Sequence, residues 1–316
     1  MTVTVVVLTY DSEATLVACL RSLAEQHTRP AEIILVDDDS TDGTLEIIDE
    51  FAAHSPITIR IRRNGSHNIS RGRNIGLGAA RTPVVAFLDS DARADPGWIT
   101  GLAAAFEAHP DAVVVGGGVD TDHATRFARA LAVSDGAVRD TATGGLLLVS
   151  GCNMAVHKDR AAGHAFDERW VHAEDIEYAH RVRHWAIAPQ ARVRHASRAT
   201  IRGYLRQMYR YGFWKMRYTL HTGHVRLVDY SASAALIGTA GLALGSGPWW
   251  LLAFPAFCAA ETIAVAVLRR PSPSLLPLMF LGWLVKNTGW GLGVLAGLGR
   301  AALRRPGAPL VPETAG

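Results

Sequence analysis

One stretch constrains this chain more than any other: Val84-Val85-Ala86-Phe87-Leu88-Asp89-Ser90-Asp91. Its five apolar residues, rich in β-branched and aromatic types, predict a buried strand. The strand ends in two carboxylates one residue apart. Such a pair at a strand's carboxyl end suits a hard divalent cation and, through it, a diphosphate. Open parallel sheets place their ligands at that edge. An isolated Asp-x-Asp is more often a polar turn, so the neighbouring segments decide the reading.

Those segments alternate. Val3 to Thr9 is an apolar run of strand length, followed by Tyr10-Asp11-Ser12. Ser12 is placed to cap a helix burying Ala14, Leu16, Val17, Leu20 and Leu23. Ile33 to Val36 predicts a second strand, closed by Asp37-Asp38-Asp39-Ser40-Thr41-Asp42-Gly43. A helix with Leu45, Ile48 and Phe51 on one face follows, then a short strand over Thr58 to Ile61. Next come the basic loop and helix Ser70-Arg71-Gly72-Arg73-Asn74-Ile75-Gly76 and the organising strand. This alternation predicts βαβ units and an α/β fold with a mostly parallel central sheet. Further on, the pattern predicts a helix over 96–109, a strand over 112–119, a turn at Gly144-Gly145 into a strand ending at Val149, and a helix over 176–185 with Glu174 and Asp175 at its start.

Bulk properties exclude several classes. The formal charge of +3 is nearly balanced and gives no case for a nucleic-acid partner. Three widely separated cysteines, Cys19, Cys152 and Cys258, lack metal-like spacing, which argues against a zinc framework or a disulfide scaffold. The N-terminus enters an apolar strand without a basic n-region, so no signal peptide is expected. By contrast, residues 231–299 are almost uncharged, the regime of membrane segments.

With these pieces in order, the chain resembles a family-2 glycosyltransferase of the nucleotide-sugar-binding GT-A fold. The resemblance covers residues 2–217 and rests on Val36 to Thr44, Arg71 to Gly76, Asp89-Ser90-Asp91 and Glu174-Asp175 in that order. The continuation through His195 and Gln207-Met208-Tyr209-Arg210-Tyr211-Gly212 into apolar segments is similar to membrane-attached enzymes of exopolysaccharide assembly of the succinoglycan type. The resemblance implies inverting transfer of one sugar per encounter from a nucleoside diphosphate sugar, with Mg²⁺ or Mn²⁺ as cofactor. The implied acceptor is a lipid-linked or membrane-proximal saccharide, and a polysaccharide assembly complex is an implied partner. Two rivals stand beside it: transfer directly onto a polyprenyl phosphate, and a catalytically silent scaffold.

Residue by residue, the resemblance implies the following roles. Asp91 and Asp89 hold the metal, with Asp89 an alternative contact for the ribose, and His195 adds a ligand or touches the diphosphate. Thr9 and Tyr10 contact the base, Tyr10 by stacking. Asp38 accepts a hydrogen bond from a uracil-like imide and Asp37 supports it. Arg71 and Asn74 face the nucleotide. Asp175 is the base that takes the acceptor proton, favoured as an anion at a helix start, and Glu174 orients it or the acceptor. Gln207, Arg210 and Tyr211 match the Gln-x-x-Arg-Trp of processive synthases, with tyrosine in place of tryptophan. Asp39 stands where the family more often has glycine, and could disturb the turn or add a contact.

The expected domains are 1–220, including a basic, aromatic interfacial helix over 199–220, then a membrane region over 231–299 and a basic, flexible tail over 300–316. Ser231 to Gly247 and Pro248 to Leu268 predict two spans, with Trp249 and Trp250 at the far interface. Glu261 costs about 2.5–3.5 kcal/mol facing lipid, so it is expected to face protein or be protonated. Leu275 to Gly299, with Lys286 and Asn287 midway, has the length of a third span, which is the preferred reading; because Arg269-Arg270 and the basic tail compete for the same side, a re-entrant or interfacial element and a translocated tail are the alternatives. The expected location is the inner membrane, with the catalytic domain in the cytoplasm.

Overall fold

The structure, a computed structural model, describes residues 1–122, 125–141, 149–196 and 200–303. The expected turn and strand over 144–149 fall outside the described residues except for Val149, as does the expected tail beyond residue 303. The described chain divides into two units, one of residues 1–121 and 149–196, the other of 122, 125–141 and 200–303.

The first unit runs β1 (Val3–Thr9), α1 (Glu13–Ala24), β2 (Glu32–Asp37), α2 (Thr44–His54), β3 (Thr58–Arg63), α3 (Ile69–Ala79), β4 (Val84–Asp89), β5 (Ala92–Ala94), α4 (Trp98–Ala108) and β6 (Val114–Asp122). After the second unit's α5 (Arg126–Thr141) it resumes with β7 (Asn153–His157), α6 (Glu174–Val182) and β8 (Trp185–Ala196). One eight-stranded sheet has the order β3-β2-β1-β4-β7-β6-β8-β5. The expected parallel arrangement holds through β3, β2, β1 and β4. β7 runs antiparallel to β4 and β6, and β5 antiparallel to β8.

Period-two alternation sorts the strand residues between two cores. Val5, Val7, Ile33, Leu35, Val84, Ala86 and Leu88 pack with α1 and α4 on one face. Val6, Ile34, Val36, Val85 and Phe87 pack with α3 and α6 on the other. Both faces are covered, which is why these strands read as continuous apolar runs. α3 lies very close to β1: a Cβ on Gly76 would come within 2.4 Å of Val6 Cγ1.

Several local expectations are corrected. On α1 the buried stripe is Leu16, Cys19, Leu20 and Leu23, while Ala14 and Val17 are exposed; helical spacing of 3–4 residues selects Cys19 over its neighbours. On α2 Ile48 is buried but Leu45 is exposed. α6 ends at Val182 and Trp185 opens β8, a strand the sequence reading did not anticipate. Its buried face is largely alanine (Ala186, Ala188, Ala191, with Val193) and Pro189 interrupts it, so it carries little strand signal.

The second unit joins α5 to α7 (Ile201–Thr222), α8 (Ser231–Ser246), α9 (Ala253–Arg269) and α10 (Leu276–Ala302). The expected boundary at 220 therefore shifts: α7 clusters with the C-terminal helices. Glycine makes that packing. A Cβ on Gly293 would sit 2.0 Å from Tyr209 O, and one on Gly212 would sit 2.1 Å from Trp290 O, so α7 and α10 touch backbone to backbone. Among the described residues, Leu227–Ser246 and Pro248–Arg269 are long and apolar enough to cross a membrane. The third apolar stretch is α10, one continuous helix that presents Asn287 to Glu261 of α9. Glu261 thus has a protein partner.

Candidate active site

The carboxyl ends of β1, β2 and β4 gather the first group of residues. Register sets Thr9 beside Asp37 and Leu8 beside Asp89. The Thr9 hydroxyl donates to Asp37 Oδ1 at 2.9 Å, and Ser40 donates its N–H (3.0 Å) and hydroxyl (2.6 Å) to the same carboxylate. Asp37 is thus a buried support, and the Thr9 hydroxyl is committed to it. Asp38 Oδ1 accepts the N–H groups of Ser66 and His67, both at 3.0 Å, so it shapes the loop after β3. Tyr10 is 54% exposed and stands edge-on to His67 with centroids 5.0 Å apart, leaving ring surface for stacking. Asp39 adopts φ +63°, the left-handed conformation that aspartate tolerates better than most residues, and its Oδ1 accepts Arg63 Nε–H at 2.5 Å. The departure from glycine keeps the turn and adds a contact; that hydrogen bond holds the Asp39 carboxyl below its ordinary range.

The second group is the expected metal site. His195 lies 104 positions beyond Asp91 in sequence, yet β8 pairs with β5 so that His195 is opposite Ala92, the residue after Asp91. His195 Nε2 is 3.0 Å from Asp91 Oδ1 and 3.6 Å from Asp89 Oδ2. Burial disfavours charge on this imidazole, but the hydrogen bonds and charges of Asp89 and Asp91 prevail and push it up to about 10. The cluster thus holds a positive charge between two carboxylates. Two carboxylates with an imidazole form an oxygen and nitrogen donor set that suits Mg²⁺ or Mn²⁺. Both aspartates face the histidine.

The third group is the acid pair at the start of α6. Ala173, at φ +61°, turns the chain so that Glu174 and Asp175 enter the site from the helix N-terminus. Asp175 Oδ2 accepts Gly151 N–H at 2.6 Å and its Oδ1 accepts Ile176 N–H at 2.8 Å. Burial nevertheless raises the Asp175 carboxyl above its ordinary value, against the lowering effect of Arg73 and these N–H groups. The anion is therefore less favoured than helix-start reasoning alone expects, which brings the group nearer a base's working range. Burial, then the Asp175 charge, raises Glu174 as well.

The sequence reading missed Arg73. It is 1% exposed, lies 5.1 Å over the Phe87 ring, donates to Glu174 Oε1 at 3.2 Å and to Gly151 O at 3.1 Å. Arg71, the expected cation, is exposed on the other side of α3, because two positions along a helix turn the side chain by about 200°. The i, i+2 spacing of the two arginines was the available signal. Asn74 holds the loop before α6: its amide donates to Phe166 O and Glu168 Oε1, and its carbonyl accepts Phe166 N–H. Cys152 was also missed. Leu88 pairs with Asn153, so Cys152 comes beside Asp89, and the ligand atoms of Asp89, Cys152 and His195 all lie within 4.8 Å of one another. Gln207, Arg210 and Tyr211 lie on α7 in the second unit, where Gln207 Nε2 donates to the Tyr211 hydroxyl at 3.1 Å and Tyr211 is exposed.

Comparison with known proteins accords with this geometry. Residues 4–159 match the model of glycosyl transferase family 2. The chain is 33% identical over 131 residues to the glucosyl-dolichyl phosphate glucuronosyltransferase of Haloferax volcanii, covering 40% of this chain and 41% of that protein. It is 32% identical over 113 residues to the validoxylamine A glucosyltransferase of Streptomyces hygroscopicus subsp. limoneus, covering 35% and 25%. The matched stretches thus span less than half the length of these relatives. Among solved structures, TarS residues 1–349 of S. aureus with UDP-GlcNAc superimposes at a TM-score of 0.53, with 18% identity, over 96% of this chain and 92% of that one. The mannosyltransferase PcManGT of Pyrobaculum calidifontis with GDP-Man and Mn²⁺ gives a TM-score of 0.60, with 20% identity, over 94% and 86%. With this sheet order and these likenesses, the matched stretch 4–159 belongs to glycosyltransferase family 2, and the unit around it has the GT-A fold.

Proposed function

We propose that this protein transfers one sugar, with inversion, from a nucleoside diphosphate sugar, preferentially a UDP-sugar, to the hydroxyl of a lipid-linked saccharide at a membrane surface. One observation carries the reading: the turn at Gly151-Cys152 ties the Asp89–His195 cluster to the half-buried Asp175. A divalent cation, when bound, neutralises the charge that grows on the departing nucleoside diphosphate. Asp89, Asp91 and His195 are the residues that would hold it. Tyr10 stacks on the base, Asp38 accepts from it, and Asp37 keeps Thr9 and the β2 turn in place. Asp175 accepts the proton of the acceptor hydroxyl as that oxygen bonds to the anomeric carbon from the face opposite the breaking C–O bond. Arg73 and Gly151 N–H orient Asp175 and Glu174 and keep a positive charge beside them.

The membrane placement is supported by the two long apolar helices and by α7, whose exposed face mixes Arg202, Arg206 and Arg210 with Ile201, Leu205 and Tyr209. The Haloferax relative's name specifies a dolichyl-linked sugar, which favours a lipid-linked acceptor here. In this reading the catalytic unit lies on the cytoplasmic face of the inner membrane.

The test is donor turnover by detergent-solubilised protein with Mn²⁺ and membrane lipid extract, across UDP-, GDP- and dTDP-sugars. Metal-dependent release of one nucleotide, lost in both Asp91→Asn and Asp175→Asn, is expected. Turnover that survives Asp175→Asn transfers the assignment to a polyprenyl-phosphate acceptor, which needs no base. Nucleotide binding without any turnover makes the protein a scaffold.

A further inference from the structure

We propose that Cys152 completes a thiolate-bearing metal site with Asp89 and His195, which holds a borderline or soft ion such as Zn²⁺ or Cd²⁺ in preference to Mn²⁺. This deepens the proposed metal-assisted transfer and rests on the ion binding at that same edge. The three ligand atoms come from three distant segments and lie within 4.8 Å of one another. A tetrahedral ion with bonds of about 2.0–2.3 Å needs donors about 3.3–3.8 Å apart, so modest side-chain rotation closes the set.

Cys152 is held for this. It is 8% exposed and not in a disulfide. On its C-terminal side, fully buried Asn153 donates to Gly118 O and Ala191 O, both at 2.8 Å, and accepts the Trp98 indole N–H at 2.7 Å. On its N-terminal side, Gly151 N–H is fixed to Asp175. The backbone is thus pinned on both sides of Cys152, whose sulfur lies within 4.8 Å of the ligand atoms of Asp89 and His195 and 3.3 Å from the Ser150 hydroxyl. The carboxylates and imidazole alone suit Mg²⁺ or Mn²⁺; adding a thiolate shifts preference toward Zn²⁺ and Cd²⁺. The site therefore gives Zn²⁺ a route to displace Mn²⁺ and stop transfer, and links metal selection to the turn that orients Asp175.

The experiment uses full-length protein in detergent, stripped with chelator and loaded with one equivalent of Zn²⁺. X-ray absorption at the zinc edge is expected to count one sulfur neighbour in wild type and none in Cys152→Ser. A first shell of only nitrogen and oxygen in wild type overturns the proposal, as does a sulfur that persists in Cys152→Ser. The wild-type arm stands whether or not the variant folds. In competition, read by the spin resonance of displaced Mn²⁺, Cys152→Asp is expected to lower the Zn²⁺-over-Mn²⁺ preference by about 10–100-fold; an unchanged ratio refutes it. The two readings fail separately. A sulfur ligand without sugar transfer removes the transferase and keeps this site, whereas transfer without a sulfur ligand does the reverse.

Discussion

In the metal-free protein, His195 stands as an imidazolium between Asp91 at 3.0 Å and Asp89 at 3.6 Å, with its titration pushed up to about 10. A metal ligand must be neutral, so an incoming ion must first expel that proton. At pH 7 about one molecule in a thousand has the neutral ring, a handicap of about 4 kcal/mol at 1.36 kcal/mol per pH unit. Between pH 7 and pH 8.5 the apparent Mn²⁺ affinity is therefore expected to rise roughly 30-fold. Calorimetric titration of chelator-treated protein in two buffers of different ionisation heat reads both the affinity and the proton count, and one proton per ion is expected from His195. The sign for stability follows from the same shift. The folded value lies above the unfolded one of 6.5, so the stabilisation is complete below pH 6.5 and is lost as pH climbs toward 10. Metal-free protein is expected to melt at progressively lower temperature over that window, and Mn²⁺ to oppose the loss. An affinity that changes less than threefold between pH 7 and pH 8.5, or binding without proton release, would refute the imidazolium arrangement.

Other outcomes follow from single contacts. Arg73→Met leaves Glu174 buried without its cation and Gly151 O without a donor, so a loss of about 3–5 kcal/mol is expected, seen as a lower melting temperature and partly recovered in Arg73→Met with Glu174→Gln. Asp175→Asn keeps an acceptor oxygen for Gly151 N–H but removes the base, so transfer should fall by about 10²–10⁴-fold with nucleotide binding retained, measured by product release and UDP titration. Gly293→Leu drives a side chain into Tyr209 O and Phe213 N, so separation of α7 from α10 and poor recovery of folded protein are expected on size-exclusion in detergent. Recovery and elution unchanged from wild type would contradict that close helix contact.

What the sequence determined was whatever rests on local pattern. Apolar runs at β1, β2 and β4 were legible because both faces are buried, and the acidic turns after β2 and β4 were legible because their residues are contiguous. Asp37, Asp38, Asp89 and Asp91 could thus be placed at one sheet edge before any tertiary information. β7 and β8 were not legible: β7 is only five residues long with polar ends, β8 is rich in alanine with an internal proline, and the partners that stabilise both lie far away in sequence. For the same reason only the tertiary structure could set Cys152 beside Asp89 or decide that Arg73, not Arg71, turns inward to Glu174. Antiparallel register across β4 and β7 makes the first decision, and the 100° step of α3 against the sheet makes the second. The charge state of the site was likewise out of reach. Burial raises Asp175 and paired carboxylates raise His195, and both depend on neighbours that the fold supplies.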